Sequence, residues 1–153
     1  MQKCSHITLF LILASATASA CAEGHVFAAT NAKWKTECGA CHFAYPPQLL
    51  PAASWRTMMT QLDKHFGADA SLDPKTTAEI RAFLEANAGR VQREAVGKPP
   101  LRITESRWFQ HEHDEVPARY WKSPAVKSAA NCTACHTQAE RGDYSERNVH
   151  LPR

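Results

Sequence analysis

The sequence predicts a small, mainly α-helical protein with long loops, built as two halves that each surround one copy of a short motif. Three observations support this. Apolar residues recur at helical spacing between capping residues, and no segment shows the alternation typical of a strand. The one internal repeat is Cys-x-x-Cys-His, at 38–42 and 132–136.

Two helical segments are expected around the first motif. Residues 31–37 are compatible with a helix that leads into it, and Pro46 and Pro47 stop any helix after it, because proline lacks the backbone donor. Ser54 can then cap a helix over 55–66 that Gly67 ends. The apolar residues of that helix recur at spacings of three and four: Trp55, Met58, Met59, Leu62 and Phe66.

A further helix is predicted where Asp73 precedes Pro74, since proline is favoured at the first helical position. Gly89 closes it, and its inner face is expected to carry Ile80, Phe83, Leu84 and Asn87. Residues 89–102 are typical of a linker, and residues 103–153 form the second half. There, Ser123 and Pro124 could begin a short helix that runs to the second motif.

The first 22 residues are predicted to be a signal peptide. A short basic start precedes an apolar run at 7–13 and then small residues with Ala-x-Ala patterns. That run is shorter than the ~20 residues of a membrane-spanning helix. We therefore expect a mature chain without a membrane span, whose first half, the one with the first motif, would be residues 23–88. Cleavage is favoured after Ala22; cleavage after Ala20 would leave Cys21 open to lipid attachment, the minor alternative.

The net charge and the positions of the cysteines restrict the class of protein to which the chain can belong. A formal net charge of +3, mild and intermixed, gives no reason to expect a nucleic-acid partner. Six cysteines in an exported chain would first suggest disulfides, but two lie in or beside the signal peptide. The other four are Cys38, Cys41, Cys132 and Cys135, and all belong to the two motifs.

Cys-x-x-Cys-His is the attachment signature of c-type haem. The two thiols add across the two haem vinyl groups, and the adjacent His42 or His136 becomes the proximal iron ligand. A single match could also be a zinc site or a redox dithiol. Two matches behind an export signal, using every cysteine beyond the signal region, indicate two covalently bound haem c groups.

The second axial ligand of each iron is less clearly indicated. The histidines outside the motifs and the signal peptide are His25, His65, His111, His113 and His150, and the methionines there are Met58 and Met59. His65 would share the apolar face of the 55–66 helix, which favours it as a ligand. Methionine thioethers serve as ligands in many monohaem cytochromes c, although core packing is the favoured role of this pair. His111 and His113 would point in different directions, so only one of them can face a haem.

Several segments resemble the small periplasmic dihaem cytochrome c family (DHC type) of proteobacteria. They are 37–42 (Glu-Cys-Gly-Ala-Cys-His), 45–47 (Tyr-Pro-Pro), 62–67 (Leu-Asp-Lys-His-Phe-Gly), 69–73, 103–105, 108–109 (Trp-Phe) and 127–132. The resemblance implies haem irons bound by two histidines each. It matches His65 to one distal ligand and His113 to the other, although His111 stands where the family more often has a basic residue.

The resemblance also implies a function. Family members pass electrons between a membrane b-type cytochrome and other periplasmic haem proteins, including a small oxygen-binding c-type cytochrome. We therefore expect a periplasmic electron carrier that is not an enzyme and has such redox proteins as partners. The alternatives are a peroxidase, a nitrogen-oxide reductase or a gas or redox sensor, each of which needs an open position on one iron.

Overall fold

The computed structural model of the protein describes residues 25–89 and 98–152. Five α-helices are present there: α1 Ala32–Cys38, α2 Ala52–Met59, α3 Pro74–Ala86, α4 Arg107–Glu112 and α5 Ala118–Trp121. Short 3-10 turns lie at Pro47–Leu49, Leu62–Lys64, Ile103–Glu105, Cys132–Ala134, Ala139–Arg141 and Glu146–Asn148. The described residues contain isolated β-bridges but no strand, so the predicted mainly α class is confirmed.

Helix α2 is shorter than the helix predicted over 55–66, and that prediction was wrong at both ends. The helix begins after Pro51 rather than after Ser54, which lies buried inside its first turn. It ends at Met59, and the hydroxyl of the next residue, Thr60, donates to the carbonyl of Thr57 at 2.7 Å. Such local side-chain bonds compete with continued helix. His65 therefore follows a separate 3-10 turn and does not lie on the face of α2.

Helix α3 forms where it was predicted, from Pro74 to Ala86. The Asp73 carboxylate caps it by accepting from the backbone N–H groups of Lys75 and Thr76, both at 3.0 Å. Helices α2 and α3 pack together over the main core. The buried residues of that core are Trp34, Leu50, Trp55, Met59, Ile80 and Leu84.

The second half has less regular structure than the first. The helix expected after Ser123 is absent: the Ser123 carbonyl accepts from Val126 and Lys127, and the chain then turns. Lys127 has a φ of 62°, outside the right-handed helical region, which breaks any helical path toward the second motif. Buried apolar side chains in this half are Phe109, Val126 and Ala139.

The start of the described chain lies against the C-terminal tail. Phe27 donates its backbone N–H to the Gly142 carbonyl, and Tyr144 donates to the His25 carbonyl, both at 2.8 Å. The predicted signal peptide and most of the predicted linker, residues 90–97, lie outside the described residues. The predicted division into halves therefore stays a prediction.

Removing the cap of α1 should weaken the fold. The Asn31 side chain accepts from the backbone N–H of Trp34 at 2.9 Å. We expect Asn31→Ala to lower the free energy of unfolding by about 0.5–2 kcal/mol, while Asn31→Ser, which keeps an acceptor oxygen, should lose much less. Denaturant unfolding of the haem-loaded proteins measures this. Equal midpoints for wild type and Asn31→Ala would show that the cap does not contribute.

Candidate functional site

The first Cys-x-x-Cys-His motif begins at the end of α1. Cys38 is the last helical residue, and the backbone N–H of Gly39 bonds to the Lys35 carbonyl at 3.0 Å. A Cβ atom on Gly39 would lie 2.2 Å from that carbonyl oxygen, so only glycine fits this close approach. The His42 ring is exposed, and its Nδ1 lies 2.8 Å from the Phe43 carbonyl oxygen.

His65 faces His42 from a tight turn. The turn is closed by the backbone N–H of Ala68, which bonds to the His65 carbonyl at 3.0 Å. Phe66 and Gly67 have φ values of 51° and 98°, and the second of these favours glycine strongly. The ring centroids of His42 and His65 are 6.2 Å apart, with 25° between the ring planes.

The second motif lies in a 3-10 turn over Cys132–Ala134, and the backbone N–H of His136 bonds to the Cys132 carbonyl at 2.8 Å. The ring of His136 faces that of His113, with a centroid distance of 6.0 Å and 72° between the planes. The ring of Tyr144 lies 5.1 Å from the His136 ring. The histidine of each motif thus has one opposed imidazole.

His113 and His111 differ sharply in their surroundings. His113 follows the last residue of α4, stacks on Phe109 with centroids 4.1 Å apart, and has its Nδ1 2.8 Å from the Phe109 carbonyl oxygen. The side chain of His111 is 82% exposed and lies 3.9 Å from the Asp114 carboxylate. The structure therefore places His113, and not His111, opposite His136.

The other ligand candidates lie elsewhere. Met59 is buried in the main core and Met58 packs against that core. His150 is exposed. His25 contacts the ring of Trp108 at 5.9 Å, and its Nε2 lies 3.6 Å from a Glu112 carboxylate oxygen.

The pKa values of the motif cysteines differ from those of a redox dithiol. Burial, with a smaller contribution from Glu37, raises the pKa of Cys38 to about 11. Burial likewise raises the pKa of Cys132 to about 11. Reactive dithiols instead need a lowered thiol pKa. Burial, and the charge of the facing histidine, lower the pKa of His65 and His136, which favours the neutral imidazole that binds metals.

The arrangement fits a planar iron-containing group better than a bare ion. In the described part of the chain, no cluster of three or more His, Cys, Asp or Glu side chains could hold a metal ion. Each motif instead offers two thiols and a pair of opposed imidazoles. At the second motif the His136 Nδ1 and the Tyr144 hydroxyl are buried without a hydrogen-bond partner in the protein.

Sequence reasoning missed two aromatic residues beside the motifs. The ring centroids of Tyr45 and His42 are 4.9 Å apart. Tyr144 lies in the C-terminal tail, whose sequence is mostly polar. An aromatic residue three positions after the first motif was a usable signal for Tyr45. No local pattern points to Tyr144, because its contact with His136 depends on how the tail folds back.

Comparison with known protein families identifies the cofactor of this chain. The family profile described as "Dihaem cytochrome c" (DHC) matches residues 34–144, which is most of the chain. The chain belongs to the dihaem cytochrome c family. It therefore carries two haem c groups with their irons, as the motifs predicted, and the family resemblance seen in the sequence is confirmed.

Solved structures of dihaem cytochromes c share this fold. Two are from Rhodobacter sphaeroides. The first is 48% identical in sequence, and the alignment covers 74% of this chain and 96% of the other, with a TM-score of 0.64. The other is 46% identical, with coverages of 76% and 98% and a TM-score of 0.68. A diheme cytochrome c from Shewanella baltica OS155 is 42% identical, with coverages of 80% and 93% and a TM-score of 0.70. No curated protein matches the chain.

His111 and His113, at the C-terminal end of α4, allow a paired test. We expect His113→Ala to open one iron of this dihaem cytochrome c to carbon monoxide, because it removes the imidazole opposite His136. His111→Ala should leave the spectrum unchanged, because that ring is exposed. Absorption spectra of both reduced variants under carbon monoxide measure this. If His111→Ala binds the gas and His113→Ala does not, the ligand assignment is wrong.

Proposed function

We propose that this dihaem cytochrome c is a periplasmic electron carrier whose irons are each bound by two histidines. His42 and His65 would bind one iron, and His136 and His113 the other. Cys38 and Cys41 would attach the first haem covalently, and Cys132 and Cys135 the second. The single observation that carries the proposal is the pair of imidazole separations, 6.2 Å and 6.0 Å between ring centroids.

These separations match two imidazoles on opposite sides of one metal. A metal–imidazole bond is about 2.0 Å long and the ring centre lies roughly 1 Å beyond the nitrogen, so the expected centroid distance is about 6 Å. The angle between the ring planes can differ between the two sites, because each ring can turn about its own bond to the metal. The observed 25° and 72° are both compatible with such ligation.

Hydrogen bonds at Nδ1 support the same ligand set. In His42 and His113 the Nδ1 atom lies 2.8 Å from a backbone carbonyl oxygen, so it donates there and leaves Nε2 for the metal. Ligating histidines commonly donate their second nitrogen in this way, which fixes the tautomer and the ring orientation. One ring of each facing pair is therefore held in a metal-binding orientation by the protein alone.

A closed axial ligand set favours electron transfer over catalysis. When bound, each haem iron supplies reversible one-electron oxidation and reduction. The protein would hold a histidine on both faces of each iron and so leave no position for a substrate. Two histidine ligands should also keep both reduction potentials below those of irons with one histidine and one methionine.

The proposed location and partners follow from the sequence and its family. Residues 1–22 would direct export to the periplasm, with lipid attachment at Cys21 as the minor alternative. Among the described residues, no helix is long and apolar enough to cross a bilayer. The proposed partners are a membrane b-type cytochrome and small periplasmic c-type cytochromes. Redox proteins of this kind meet through small, transient contacts.

Carbon monoxide distinguishes a carrier from an enzyme or sensor. We expect the reduced wild-type protein, with two haems per chain by intact mass, to show no change of its absorption spectrum under carbon monoxide. The gas needs an open iron position, and both positions would be filled by histidine. A stoichiometric shift of the Soret band in the wild type would contradict the proposal and favour a peroxidase, a nitrogen-oxide reductase or a sensor.

A further inference from the structure

Tyr45 directly connects the two segments that carry the haem motifs. It lies three residues after the first motif, and its ring centroid is 4.9 Å from that of His42. Its hydroxyl donates a hydrogen bond to the backbone carbonyl of Ala130 at 2.7 Å. Ala130 lies two residues before Cys132, and the Cys132 Sγ is 3.6 Å from the same carbonyl oxygen. One side chain thus touches the first proximal ligand and the second attachment segment.

The Tyr45 end of this connection is held firmly. Its backbone is restricted because a proline follows it, and both Pro46 and Pro47 are buried. The Phe43 ring meets the Tyr45 ring nearly edge-on, with centroids 4.7 Å apart and 76° between the planes. The half-buried ring therefore has little freedom to swing away from His42.

The Ala130 end is also fixed by its neighbours. The backbone N–H of Ala130 bonds to the Ser128 hydroxyl at 3.2 Å, and that of Asn131 bonds to the Ser128 carbonyl at 2.9 Å. The Asn131 side chain donates to the Val126 carbonyl at 3.1 Å. A hydrogen bond between two segments that are each anchored in this way restricts the distance between them.

From these contacts we infer that Tyr45 is a positioning residue that sets the spacing of the two haem sites and so the rate of electron exchange between them. The inference rests on the proposed function. In the exchange, one iron is oxidised from ferrous to ferric as the other is reduced, and no bond or proton changes place. Electron tunnelling falls steeply with distance, so a looser contact at the Tyr45 hydroxyl would slow it.

Tyr45→Phe tests the role of this hydroxyl, because it removes one oxygen atom and keeps the ring on His42. Tyr120→Phe is the matched control: Tyr120 is also half-buried, and its hydroxyl lies 3.4 Å from the guanidinium of Arg119, its neighbour on α5. Two-dimensional NMR of the half-reduced, haem-loaded proteins measures exchange between the haem methyl signals. The oxidised proteins report the surroundings of each haem through the shifts of the same signals.

We expect Tyr45→Phe to slow the exchange several-fold and to shift haem methyl signals of the second site, with Tyr120→Phe like the wild type. Wild-type exchange in Tyr45→Phe would overturn the inference. Loss of a haem from Tyr45→Phe alone would overturn it too, since the residue would then act in haem attachment. The proposed function is judged separately, on the wild type under carbon monoxide.

Discussion

The candidate site depends on two pairs of imidazole rings that face each other, with centroid separations of 6.2 Å and 6.0 Å. The rings come from segments well apart in the chain, so the fold must place each one independently. At the first site a tight turn with left-handed backbone at Phe66 and Gly67 places His65. At the second, the end of α4 and stacking on Phe109 place His113. The helices mainly serve to support these positions.

The hydrophobic core formed by the described residues is small. All six residues of the main hydrophobic cluster lie in the first half, between Trp34 and Leu84. Around the second motif, the buried apolar side chains within 98–152 are few, and apart from Phe109 they are small. The two haem c groups would add apolar surface to this core.

Local sequence patterns predicted a good part of this structure. Short segments were enough to predict the two motifs and the start of α3 at Asp73 and Pro74. They also gave His65 and His113 as candidate iron ligands. The ligand roles themselves stay predictions. Spacing alone could not separate His113 from His111, because the answer depends on α4 ending at Glu112 and on the Phe109 ring beside His113.

The features that the sequence did not predict depend on local hydrogen bonds that compete with helix, or on contacts between residues far apart in the chain. Helix α2 stops early because the Thr60 hydroxyl bonds to a carbonyl of its own last turn, and the expected helix after Ser123 fails at Lys127. The bond from Tyr45 to Ala130 joins residues far apart in sequence, so no local pattern could predict it.

Ligation of both irons by histidine is the central claim, and low-temperature electron paramagnetic resonance with near-infrared magnetic circular dichroism tests it most directly. In the oxidised, haem-loaded protein, the account predicts two low-spin ferric centres with bis-imidazole charge-transfer bands. A high-spin ferric signal, or a charge-transfer band of methionine–iron ligation, would contradict it.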